Sequence, residues 1–183
     1  MKLLGIIFFG CLALPLSAQT VYLTPAEALK LIFFKSEQVL PERQSLNPVQ
    51  QKGIEKKIGF RLEKTEWNFY VAKTKGKVDG YALIDQEVGK TEPITFLTAI
   101  TPEGRVKEVE VLVYREPIGG EVREERFLRQ YRGKGPSDPV RVGRDLANVT
   151  GATLSARAVS AGVKRALLLW EVFYGRLNNP NKN

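Results

Sequence analysis

Thr150-Gly151-Ala152-Thr153-Leu154-Ser155 is the stretch whose residue types and spacing could do chemistry. Hydroxyls stand on both sides of two residues with almost no side chain, and Gly and Ala let another group come close to the backbone. Downstream, Ala158, Val159, Val163, Ala166, Leu167 and Trp170 recur at helical spacing, which predicts a long amphipathic helix from Leu154 to about Tyr174. The stretch therefore falls at a helix start, where free N–H groups and the positive end of the helix dipole gather. A phosphate sits well there, and Arg144 and Arg157 are near enough in sequence to add charge. A capped helix would use the same residues, with Thr153 or Ser155 satisfying the first turn. The residues alone leave both readings open.

Other chemistry is restricted by what the chain lacks. Cys11 is the single cysteine and there is no histidine. A chain without Cys11 has no disulfide, no thiolate cluster and no c-type haem attachment. Without histidine there is no common zinc site and no Ser-His nucleophile. No metal site is predicted, although carboxylates for calcium or magnesium are present. Gly89-Lys90-Thr91 ends like a phosphate loop, but the first glycine that loop requires would stand at Ile84. Asn148-Val149-Thr150 matches a glycosylation sequon by pattern and overlaps the hydroxyl stretch. The pairs Glu124-Glu125 and Glu108/Glu110 read as solvated faces. Trp67 and Tyr70 fit a ring stack or, more simply, a core.

The elements that must position the hydroxyl stretch can be read along the chain. Thr24-Pro25-Ala26-Glu27 opens a helix with a hydroxyl cap, Pro at the first turn and Glu at N3. Leu29, Ile32, Phe33 and Val39 fall on one side of it, and Pro41 is expected to end it. Ile32, Phe33 and Phe34 could dock a partner or pack on the parent domain. Asn47-Pro48 begins a second, polar helix to about Lys57. Four β runs follow: Trp67 to Lys73, Val78 to Ile84, Pro93 to Ile100 and Val106 to Tyr114, the last with Val109, Val111 and Val113 on one face. Short turns between them predict an antiparallel sheet. Glu121 to Arg132 reads as a helix, then a polar loop leads to the last helix. The expected class is α+β, an antiparallel sheet covered by helices on one face, with the long C-terminal helix starting at the hydroxyl stretch.

The N-terminus reads as a secretory signal. Lys2 supplies the charge, Leu3 to Leu14 the short apolar run, and Leu16-Ser17-Ala18 the small-residue cleavage pattern. The run is short for a membrane span, and Phe8-Phe9-Gly10 before Cys11 does not fit a lipoprotein signal. The expected organisation is a signal at 1–18, an N-terminal helical segment at 19–60, the main domain at 61–177 and a disordered tail at 178–183. The exported chain would carry 27 basic and 20 acidic side chains, since the signal holds only Lys2. Outside the cytoplasm that surplus points away from nucleic acid. It suits anionic membrane surfaces, an acidic protein, a phosphate-bearing ligand or simple solubility.

Thr150-Gly151-Ala152-Thr153 with Leu154-Ser155 resembles the Ser/Thr-Gly-Ala-Thr motif of the FMN-binding domain family, which includes flavin-bearing subunits of sodium-pumping and Rnf-type electron-transfer complexes. The likeness runs from roughly Gly76 to Leu169. Gly80-Tyr81-Ala82, Val88-Gly89-Lys90 and Thr101-Pro102-Glu103-Gly104 look like the family's sheet. Glu116-Pro117-Ile118-Gly119 is similar to its Glu-x-x-Gly loop near the flavin, and Phe127 through Gly133-Lys134 to the segment before the attachment site. The resemblance implies FMN as cofactor, joined through its phosphate to Thr153 by a flavin transferase. It further implies that Thr150, Gly151, Ala152, Leu154, Ser155, Glu116, Gly119 and Lys134 surround the flavin, and that a membrane-bound redox protein is the partner. The implied role is an extracytoplasmic electron carrier. Such a cofactor brings its own redox chemistry to a chain lacking Cys and His. Lys90, Lys134 and Arg115 are the cations that could favour a reduced anionic flavin, or serve as ordinary surface charge. The family usually has Asp three residues before the first motif hydroxyl, where this chain has Ala147, with Asp145 two residues earlier. A scaffold of the same fold without covalent flavin is the alternative this departure implies.

Overall fold

The computed structural model describes residues 20–175; the expected signal at 1–18 and tail at 178–183 lie outside the described residues. Among the described residues, six strands form one antiparallel sheet in the order β1-β6-β5-β4-β3-β2. They are β1 (Thr20–Val21), β2 (Gln38–Ser45), β3 (Glu66–Thr74), β4 (Lys77–Val88), β5 (Pro93–Ile100) and β6 (Val106–Tyr114). The helices are α1 (Pro25–Ile32), α2 (Pro48–Ile58), α3 (Glu125–Leu128) and α4 (Thr153–Phe173). The antiparallel sheet and long last helix are as expected. Among the described residues, no helix is long and apolar enough to cross a membrane.

One face of the sheet is covered by α4. Its stripe of Ala158, Val159, Val163, Ala166, Leu167 and Trp170 is buried throughout, each fully covered aliphatic contributing about 1.5–3 kcal/mol. Two glycines make the close packing possible. A Cβ at Gly162 would stand 2.2 Å from the Phe96 ring, and one at Gly104 would stand 2.2 Å from Trp170. Arg165, buried on the same helix, donates Nε to Asp85 at 2.9 Å and also pairs with Glu87, which ties α4 to β4.

The other face is not bare, which corrects the one-sided expectation. Ala28 and Phe33 of the α1 segment pack with Ala72, Ala82, Leu97, Ala99 and Leu112 in a second, smaller core. The expected helix through Val39 also stops early. Its C-cap is Phe33, and residues 38–45 form β2, paired with β3 so that Pro41 faces Tyr70. A residue before proline is steered to extended backbone, and an outer strand tolerates the missing donor. Residues 20–60 are therefore partly sheet, with β2 part of the main sheet and not of a separate helical appendage.

Two further expectations change. The helix expected over Glu121 to Arg132 is three short turns, with Glu124 extended at φ −61, ψ 134. Val122, Phe127 and Tyr131 are all buried there; the five-residue step from Val122 to Phe127 does not fit one helical face. In β6, Thr95 pairs with Val113 and Phe96 with Val111, so Leu112 is an inserted residue. The bulge turns Val113 to the α1 face, away from Val109 and Val111.

Candidate functional site

The hydroxyl stretch lies where the sequence places it, at the first turn of α4, but the hydroxyls do not cap the helix. The N-cap is Ala152 at φ −124, ψ 26, and among the described residues no side chain caps the first-turn N–H groups. The chain enters through a turn in which Ala152 N–H donates to Val149 C=O at 3.1 Å. Gly151 sits at φ +83, a conformation glycine adopts freely. Across the mouth of that turn Asn148 Nδ2 donates to Thr153 Oγ1 at 3.0 Å. The Thr153 hydroxyl is thus held in place and partly exposed, with Thr150 and Gly151 open to solvent.

Ser155 has a different task. It is buried, and its Oγ lies 2.9 Å from the Tyr114 hydroxyl at the end of β6. Tyr114 donates to Ile118 C=O at 2.7 Å, which leaves Ser155 as the donor to Tyr114. Burial pushes the Tyr114 hydroxyl above its usual range, so it remains protonated. This bond pair pins the 116–120 loop against α4. Gly119 is in the left-handed region at φ +97, and a Cβ there would meet Tyr114 Oη at 2.5 Å and Ser155 Oγ at 3.1 Å. Gly119 therefore lies close against the motif, although it stands 33 positions before Ala152 in the sequence.

Glu116 is buried, and its Oε1 accepts N–H bonds from Lys90, Thr91 and Glu92. It braces the β4–β5 turn. Lys134 reaches Asp145, 2.9 Å from its carboxylate and 3.2 Å from its carbonyl. Asp145 also accepts from Arg141 N–H at 2.7 Å and Val140 N–H at 3.1 Å. Burial raises its pKa, but the bonds from Arg141, Lys134 and Val140 outweigh this and hold it below the usual carboxylate range. The carboxylate is thus committed to its own loop. Ala147 offers only its backbone N–H, bonded to Gln130 Oε1 at 2.7 Å. Arg115 donates to Pro93 C=O at 2.7 Å and to Thr95 Oγ1 at 3.1 Å, so it braces β5.

Beside the motif, the 117–125 loop forms an open groove of about 590 Å³. Glu121, Glu124 and Glu125 line it together with Arg123, whose guanidinium stacks 3.9 Å over Tyr22. Ile118 and Leu154 are exposed apolar side chains on this side, at 73% and 49%. The residues fit a phosphate-bearing planar ligand: an uncapped helix start, a held hydroxyl beside it, and exposed apolar contacts next to a groove. Sequence reading did not find Tyr114 or the contact between Asn148 and Thr153. No spacing links a strand-end tyrosine to a serine on a distant helix, and Asn148 drew notice only as part of a sequon.

Residues 89–168 match the FMN-binding domain family, a match that indicates FMN as the cofactor. Among curated proteins, the chain is 29% identical over 120 residues to a subunit of the proton-translocating ferredoxin:NAD(+) oxidoreductase complex of Clostridium ljungdahlii, covering 61% of this chain and 63% of the relative. It is 23% identical over 148 residues to a subunit of the Na(+)-translocating ferredoxin:NAD(+) oxidoreductase complex of Acetobacterium woodii, covering 74% of this chain and 72% of the relative. The crystal structure of Shewanella oneidensis NqrC has the same fold, with a TM-score of 0.57, 19% identity, and coverage of 82% of this chain and 88% of that one.

Proposed function

We propose that this protein is an extracytoplasmic electron-transfer flavoprotein of the Rnf and sodium-pumping type, carrying FMN through a phosphoester on Thr153. The carrying observation is the start of α4: first-turn N–H groups without a side-chain cap, next to a threonine hydroxyl held by Asn148. Those N–H groups would hold the phosphate, and Thr153 Oγ1 would be the point of attachment. Gly151 and Ala152 keep the approach clear, while Ser155, Tyr114 and Gly119 fix the loop beside it. Ile118 and Leu154 offer apolar contact to a ring system. Glu116 and Lys134 act at one remove, by bracing the turns on either side. When bound, FMN supplies one- and two-electron transfer, and the polypeptide supplies position and surroundings.

A flavin transferase would make the bond and a membrane-bound redox protein would exchange electrons with the domain. The two oxidoreductase relatives, each part of a translocating complex, support that partner. The apolar run from Leu3 to Leu14 supports the extracytoplasmic side. The test is the intact mass of protein co-expressed with a flavin transferase. A yellow protein with one FMN phosphoester, lost in Thr153→Ala, is expected. A colourless, unmodified wild-type chain would remove the proposal. A second reading, an FMN-type fold serving as a scaffold without covalent flavin, rests on Ala147 and on the committed Asp145 carboxylate. It predicts that Thr153→Ala binds partner proteins as well as wild type does.

A further inference from the structure

The α1 end of the molecule carries exposed apolar and basic side chains that the flavin reading does not use. Sequence alone left Ile32, Phe33 and Phe34 open between docking and packing, and the structure divides them. Phe33 is buried in the smaller core, Ile32 is half-buried against it, and Phe34 is 73% exposed. Leu31, three residues before Phe34, is 62% exposed. Lys30 and Lys35 flank the pair and are exposed, with the Lys35 ammonium 5.4 Å from the centre of the Phe34 ring.

More lysines meet the same segment from other elements. Lys107 of β6 donates to Ile32 C=O at 3.0 Å and lies over the Phe33 ring. The β3–β4 turn, with exposed Lys75 and Lys77, is tied to it because Lys75 N–H donates to Glu37 at 2.8 Å. Three carboxylates lie on or against this segment and each is hydrogen-bonded, Glu27 by the Thr24 hydroxyl at 2.7 Å, Glu37 by that bond and Asp79 by the Thr74 hydroxyl at 2.6 Å. The result is a protruding leucine and phenylalanine ringed by five lysines. Bulky apolar tips can enter the headgroup boundary while lysines stay level with lipid phosphates. A protein partner would need a matching shape as well as charge, whereas an exposed leucine and phenylalanine beside five lysines match a bilayer surface by depth and charge alone.

We propose that this end of the domain rests on an anionic lipid bilayer through Leu31 and Phe34, with Lys30, Lys35, Lys75, Lys77 and Lys107 facing the phosphates. The orientation has a consequence for the flavin site. Lys107 lies near the start of β6 and Tyr114, which touches Ser155, lies at its end. Seven strand steps place the two roughly 23 Å apart. Thr153 would therefore face away from the lipid, toward a partner that projects from the membrane.

The test uses the full chain on vesicles of phosphatidylglycerol mixed with phosphatidylcholine, and on phosphatidylcholine alone, read by amide hydrogen exchange. Exchange of residues 30–36 should slow at least about fivefold on the anionic vesicles only, with raised salt restoring it. Lys30→Glu with Lys35→Glu should abolish the slowing, as should Leu31→Ser with Phe34→Ser. These side chains are exposed, so the thermal midpoint should match wild type. Three results would overturn the proposal: vesicle-bound protein whose 30–36 exchange is unchanged, slowing that survives charge reversal or raised salt, or lipid-free slowing that grows with protein concentration and so marks a second copy as the occupant.

Discussion

The helices α1 and α2 begin differently from α4. Both short helices start from an extended residue, Thr24 at ψ 156 and Asn47 at ψ 164, with Pro at the first turn and a complete capping box to Glu27 and Gln50. The longest helix starts from Ala152 at ψ 26 with no side-chain cap, although three hydroxyl residues stand within three positions. Local sequence here is fully able to close a helix start. At α4 it does not, and the hydroxyls point to other tasks. Thr153 meets Asn148 and Ser155 meets Tyr114.

The largest expected effect is at the glycine that lets the loop approach this open end. Gly119→Ala forces a Cβ against Tyr114 and Ser155 at a left-handed φ, and should cost about 1–3 kcal/mol in urea unfolding. An unchanged midpoint would mean that the loop is not pinned to α4. The next effect separates the two kinds of helix start directly. Thr24→Ala should cost about 1 kcal/mol as a lost cap, while Thr153→Ala in flavin-free protein should stay within about 0.5 kcal/mol. Equal losses at the two threonines would break the contrast.

The smallest effect concerns acid. Asp145 titrates below its ordinary value of 3.8 in the folded protein. The unfolded chain therefore binds its proton more readily, and the stability it contributes is present above that value and lost as pH falls below it. Thermal midpoints measured from pH 6 to pH 2.5 should fall more steeply in wild type than in Asp145→Asn. Parallel curves would show that the Lys134–Asp145 clasp contributes nothing to the loop before the motif.

Much of this arrangement was legible in the sequence. β5 and β6 were readable to the residue because Pro93–Ile100 and Val106–Tyr114 are β-branched runs between turns. Helix α4 was readable from its apolar stripe, and α1 from Thr24 and Glu27. β2 was not, because Gln38, Glu42, Arg43 and Gln44 give an outer strand no apolar alternation and Pro41 suggests a stop. The place of Val113 depends on a bulge that only pairing with β5 reveals. At the site, the hydroxyl stretch and its helix were legible from composition and period. The work of Glu116, Asp145 and Tyr114 was not, since each acts on backbone groups or hydroxyls that no spacing rule connects to it.

The proline in β2 has a consequence for the molecule in company. A sheet can recruit strangers only where a strand offers a row of donors and acceptors to copy. Here one margin has a donor missing at Pro41, and on the opposite margin Thr20–Val21 pairs with Tyr114 and Val113 at the end of β6. Growth by stacking one copy onto the next thus finds a poor template at the β2 margin.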